Sequence, residues 1–168
     1  DEERRRLEPI QKLADTHIDT TQFNVHELRR YIEDKFQAEQ SPAPLLISLI
    51  SFGFKNGVPL ESDLVFDVRF LPNPNFVKSL KDKTGLDQEV ADYVRSFQQT
   101  SELLKRLSDL LLFLVPNYVI EGKSYLTMAI GCTGGRHRSV YVAERLAAWL
   151  AEKGYAVMLD HIVGAILK

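Results

Sequence analysis

The sequence predicts an α/β domain over residues 45–168, a mainly parallel sheet flanked by helices. From Leu45 onward, short apolar runs of strand length alternate with stretches whose apolar residues recur at helical spacing. Several of those runs are apolar at successive positions, as in parallel strands covered on both faces. A glycine pair in "GCTGGRHRS" joins one such run to an amphipathic helix, where an α/β sheet turns from strand to helix at its ligand-binding edge.

Residues 1–40 read differently. They begin with the charge run "DEERRRLEP" and continue through a short candidate strand, His17 to Asp19. Asn24 is placed to cap a helix carrying Leu28, Tyr31, Ile32 and Phe36. One strand and one helix cannot bury a core, so this segment is expected to be the trailing end of another domain. "QAEQSPAP", residues 37–44, has linker composition, and its prolines discourage continuation of the helix.

Within the main domain, "LLISLISFG" is the first strand and "DLVFDVRF" the second, with Leu64, Phe66, Val68 and Phe70 on one face. "LPNPN" forces a turn. Helical spacing follows at Leu86, Val90, Val94 and Phe97, then at Leu103, Leu107, Leu110 and Leu114, with Ser101 expected to cap and Pro116 to stop the second helix. "SYLTMAIGC" is the third strand. Residues 139–153 form a helix with the stripe Val140, Ala143, Leu146, Ala147 and Leu150, ended by Gly154, and "YAVML" is the last strand.

A chain of 168 residues with 45% apolar and 26% charged residues and a net charge of −2 is ordinary for a globular protein, and its overall charge does not point to a polyanionic partner. From Lys123 to the end, six Lys and Arg face Glu144, Glu152 and Asp160, a modest local excess of positive charge. The lone Cys132 rules out an intramolecular disulfide and suggests a reducing compartment. The longest strongly apolar run, "LLLFLV", is too short for a bilayer, so a soluble, cytoplasmic protein without a membrane anchor is expected.

Functional expectations centre on the glycine loop. Gly134 and Gly135 permit a tight turn with bare N–H groups, and the helix that follows aims the positive end of its dipole at the same point. Thr133 and Ser139 add hydroxyls, and Arg138 is placed to fork onto two phosphate oxygens. A second chemistry is open: Cys132, Gly135, Arg138 and Ser139 stand in the register C-x-x-G-x-x-R-S, similar to the loop of cysteine-dependent phosphatases, with Asp67 or Asp63 as candidate acid. Gly131 stands where those enzymes usually carry histidine. "SFGFKNG" and "DVRFLPNPN" follow the first two strands, so Ser51, Lys55, Asn56, Asp67, Arg69, Asn73 and Asn75 are further candidates at the same sheet edge. Asp67 would suit an ammonium group there, as the glycine loop would suit a phosphate. His17, His26 and His161 have no metal-ligand spacing with Cys132, which disfavours zinc.

"SFGFKNGVP", "DVRFLPNP", "TGLD" and "YLTMAIGCTGGRHRSVYVAERLA" together resemble the RapZ/YvcJ family of bacterial nucleotide-binding and RNase-adapter proteins, over about 45–157, its C-terminal domain. The segment ending in "NVHELR" looks like the end of that family's N-terminal P-loop domain. The resemblance implies a phosphofructokinase-like fold that binds no nucleotide itself but senses glucosamine-6-phosphate, with small RNA and an endoribonuclease as partners and a homo-oligomeric assembly. It places the sugar phosphate on Thr133, Gly134, Gly135 and Arg138, with Asp67 contributing. ATP or GTP is expected only with the P-loop domain, because no G-x-x-x-x-G-K-[ST] occurs here. Asn56 and Asn75 stand where enterobacterial members carry histidines. Those members also end in a basic tail used for RNA, whereas this sequence ends in "YAVMLDHIVGAILK"; an RNA-binding module without metabolite sensing remains the third alternative.

Overall fold

The structure, a computed structural model, describes residues 13–14, 16–36 and 45–162. The charge run at the start, the linker at 37–44 and the last six residues lie outside them. The chain divides into two compact units, Asp1–Pro42 and Ala43–Lys168.

In the first unit, helix α1 spans Val25–Phe36. Asn24 caps it as expected: its Oδ1 accepts the Glu27 N–H at 2.9 Å while Glu27 Oε2 accepts the Asn24 N–H at 3.0 Å, a reciprocal capping box. The strand expected at His17 to Asp19 is absent. Asp19 instead caps a 3-10 turn, Thr20–Gln22, by accepting the Thr21 N–H at 3.0 Å, a local alternative that aspartate offers the backbone in place of a ladder.

The second unit is a four-stranded, wholly parallel sheet in the order β2-β3-β1-β4, with β1 at Leu46–Gly53, β2 at Leu64–Asp67, β3 at Tyr125–Cys132 and β4 at Ala156–His161. Helices α2 (Gln88–Arg95), α3 (Gln98–Glu121) and α4 (Arg138–Glu152) complete it. Ile47 and Leu49 of β1, Leu126, Met128 and Ile130 of β3, and four of the five stripe residues of α4, Ala143, Leu146, Ala147 and Leu150, are buried in one core, and Val140 is buried outside that cluster. Gly154, at φ 86°, closes α4 as expected, with the Tyr155 N–H reaching back to Leu150 O at 3.2 Å. The central strands β3 and β1 are buried on both faces toward their carboxyl ends, as expected, whereas the edge strands β2 and β4 leave one face open, with Val65 and Met158 exposed. None of the described helices is long and apolar enough to cross a membrane.

Two expectations are corrected. Strand β2 ends at Asp67, because residues 68–71 turn, with the Leu71 N–H on Val68 O at 3.2 Å. Val68 and Leu71 are buried by that turn, and Phe70 swings outward. Helix α3 begins after Phe97, not at Ser101, and runs through Pro116 to Gly122, a left-handed cap at φ 84°. Leu107, Leu111, Val115 and the partly buried Tyr118 form a stripe against the core, and stopping at Pro116 would forfeit its last turn. The proline removes the donor that would meet Leu112 O; one residue on, the Asn117 side-chain amide donates to Phe113 O at 2.6 Å. Since Pro116 is exposed, Pro116→Ala is expected to stabilise the unit by about 1 kcal/mol, read as a higher urea midpoint at unchanged slope.

Candidate functional site

A pocket of about 440 Å³ opens beyond the carboxyl ends of β1 and β3. The 132–138 loop forms its floor with Cys132, Thr133, Gly134, Arg136, His137 and Arg138, and Lys55, Asn73, Asn75, Lys81 and Asp82 form its walls. Four cations thus surround one carboxylate and two amides.

Close contact between loop and sheet sets the floor. Gly135 has φ 74°, and a Cβ there would lie 2.6 Å from Gly53 N, so a side chain has neither the conformation nor the room. The Lys55 N–H donates to Thr133 O at 3.3 Å and holds the loop after β1 against the floor. The N–H groups of Gly134, Arg136 and His137 find no backbone acceptor among the described residues, and α4 begins directly after them. That is the local arrangement from which helix N-termini bind anions.

Arg138 is 4% exposed. Its Nη1 donates to Arg69 O at 2.6 Å and Leu71 O at 2.9 Å, and its Nη2 to Thr133 Oγ1 at 3.2 Å. The guanidinium therefore ties the turn after β2 to the glycine loop, and only part of its fork remains for a ligand. Its Nε is buried without a hydrogen bond, and no carboxylate pairs with it among the described residues. The guanidinium is hydrogen-bonded only to neutral acceptors, and the Asp67 carboxylate, which feels its charge, is itself bound by Arg69; an anion in the pocket would add a direct counter-charge.

Cys132 is 2% exposed. Its Sγ accepts the Gly135 N–H at 3.3 Å and lies 3.2 Å from Ser139 Oγ. Burial pushes the thiol pKa up, but the Ser139 hydroxyl and N–H, the Gly135 N–H and the Arg138 charge outweigh it and hold the thiol below its ordinary value. Burial also lowers the His137 pKa, against the backbone groups of Leu80, Lys81 and Lys83 that favour its charged form, and its Nε2 has no hydrogen-bond partner among the described residues.

Other sequence candidates lie apart from this pocket. Asp67 is held by Arg69, whose Nε donates to both carboxylate oxygens at 3.0 and 2.9 Å, and that hydrogen bonding keeps the carboxyl below its usual range despite some desolvation. Arg69 in turn lies over the Phe54 ring, 4.2 Å from its centre. Neither Asp67, Arg69 nor Asn56 lines the pocket. Asn73 does, and it also caps the 3-10 turn Pro74–Phe76 by accepting the Asn75 N–H at 3.2 Å. Ser51 is fully buried and bonds His161 Nδ1 at 2.8 Å, whose Nε2 meets Glu144 Oε1 at 3.0 Å. Sequence reading did not single out Arg136 and His137, and it missed Lys81 and Asp82 altogether. The only signal for Lys81 and Asp82 is "KDK" directly before "TGLD", and the segment is fixed to the loop that precedes α4 by the Gly85 N–H on Arg136 O at 2.9 Å.

The family described as the RapZ C-terminal domain matches residues 45–163, the stretch that carries the sheet and this pocket. A nucleotide-binding protein of Acidobacterium capsulatum is 55% identical over 160 residues, covering 95% of this chain and 52% of the relative. One from Geobacter sulfurreducens is 51% identical over 159 residues, covering 95% of this chain and 56% of its own length. One from Caldicellulosiruptor saccharolyticus is 50% identical over 159 residues, covering 95% and 54%. The chain spans about half the length of these curated relatives. With the family's domain matched across the whole sheet and the glycine loop, the chain belongs to the RapZ C-terminal domain family.

Proposed function

We propose that the 45–168 unit is a non-enzymatic sensor and adapter domain whose pocket takes a phosphorylated amino sugar, glucosamine-6-phosphate, and passes its state to small RNA and an endoribonuclease in a homo-oligomeric, cytoplasmic protein. The observation that carries this reading is Arg138, a buried guanidinium with neutral acceptors only, at a floor of unpaired N–H groups. Lys55, Lys81 and Arg136 supply further positive charge for a phosphate, and Asp82 supplies the carboxylate for an ammonium. In that last role Asp82 replaces Asp67, whose oxygens Arg69 already occupies. Nucleotide binding, in the relatives' name, falls in this reading to the half of those proteins that the chain does not span.

Isothermal titration with glucosamine-6-phosphate tests it. Saturable binding is expected, with Lys55→Ala and Arg136→Ala each weakening it about tenfold. Cys132→Ser is expected to bind nearly as well as the parent, and neither protein to hydrolyse an aryl phosphate. Absence of heat at millimolar ligand sinks the sensor reading; turnover that disappears in Cys132→Ser replaces it with a thiolate phosphatase.

A further inference from the structure

A second cavity, of about 540 Å³, lies between α2, the start of α3 and the outer side of α4. Its walls include Leu86, Ala91 and Leu104 on one side and Tyr141, Glu144 and Arg145 on the other. Most of its charges are already matched. Asp92 accepts from Arg95 at 2.7 Å and from the Gln88 side chain at 2.9 Å, and Glu144 meets His161 Nε2 at 3.0 Å.

Two donors are left over. Tyr141 is 4% exposed, lines the cavity, and makes no hydrogen bond through its hydroxyl among the described residues. The hydroxyl is not cut off from solvent: it opens onto the cavity, where water or the polar group of a ligand is its available partner. Arg145, whose charge acts on that hydroxyl, has no ion pair among the described residues. Beside them Leu86 is 62% exposed although it borders the cavity, an apolar surface left for the body of a ligand. The volume falls in the range of metabolite sites, about 300–1,000 Å³.

We propose that this cavity is a second ligand site, distinct from the glycine-loop pocket, which takes a small molecule bearing a phosphate or carboxylate on an apolar body. Arg145 and the Tyr141 hydroxyl hold the oxyanion, and Leu86 and Leu104 cover the body. The site does not rest on the sugar-phosphate reading. The 81–86 segment separates the two pockets, since Lys81 and Asp82 face the first and Gly85 and Leu86 the second.

The test uses the full 168-residue chain carrying Lys55→Ala and Arg136→Ala, so that binding in the first pocket does not obscure the second. Phenyl phosphate and benzoate are titrated while backbone amide shifts are followed by NMR. Shifts centred on Gly85, Arg95 and Arg145 with either probe, and affinity reduced about tenfold by Tyr141→Phe and by Arg145→Ala, support the site; the stronger probe assigns its anion. Tyr141→Phe keeps the ring in the core, so its spectrum should otherwise match the parent. Neither probe shifting these amides, or both variants binding as well as the parent, overturns the proposal.

Discussion

Gly135→Ala is expected to destabilise the 43–168 unit by about 2 kcal/mol or more and to abolish ligand binding in the glycine-loop pocket. The residue sits at φ 74°, and the added methyl would approach Gly53 N to 2.6 Å, backbone against backbone, with no flexible side chain to yield. Gly53 has the reciprocal problem, since a Cβ there would meet Gly134 C at 2.6 Å. Gly134→Ala is the contrast. Nothing lies nearer to its Cβ than Lys55 Cε at 4.0 Å, so its stability should change by less than about 0.5 kcal/mol while the methyl narrows the pocket beside Lys55. Urea unfolding and titration calorimetry on the two variants separate the glycine that builds the floor from the glycine that leaves space above it.

Arg138→Ala is expected to cost about 2–4 kcal/mol, comparable to loss of a large core side chain. Three acceptors lose their donor at once, and two of them, Arg69 O and Leu71 O, belong to the turn that packs Val68 and Leu71 into the core. Arg138→Lys should recover less than half of the loss, because an ammonium lacks the planar fork that reaches carbonyls and hydroxyl together. Binding should also fall in both variants, through an unfastened loop as much as a missing charge. Lys55 and Arg136, exposed and lining the pocket, therefore report on ligand contact more cleanly than Arg138 does.

What could be read from the sequence follows the range of its physical signals. Strand β3, the glycine pair and helix α4 follow one another between Tyr125 and Glu152, so apolar run, turn chemistry and helical period coincide, and the turn on the floor of the pocket was legible although Arg136 and His137 were not singled out. Its walls were not, except for Lys55, Asn73 and Asn75. Lys81 and Asp82 arrive through the packing of 80–85 on α4, which no local pattern announces. Asp67 failed as a pocket residue for a local reason: Arg69, two residues away, captures its carboxylate. Pro116 was misread because propensity is a weak signal against a buried stripe, and Leu111, Val115 and Tyr118 carry α3 through it. The Ser51, His161 and Glu144 chain joins residues far apart in sequence and had no signal at all.

In the proposed function the 132–138 loop is an anion cradle that receives the phosphate of an amino-sugar phosphate. Amide NMR of the chain titrated with glucosamine-6-phosphate tests it most directly, with glucosamine as the phosphate-free control. Saturable shifts are expected, largest at Gly134, Arg136 and His137, whose N–H groups have no backbone acceptor among the described residues, and much smaller ones with glucosamine. Shifts of equal size with both sugars, or a loop that does not respond while other regions do, would contradict it.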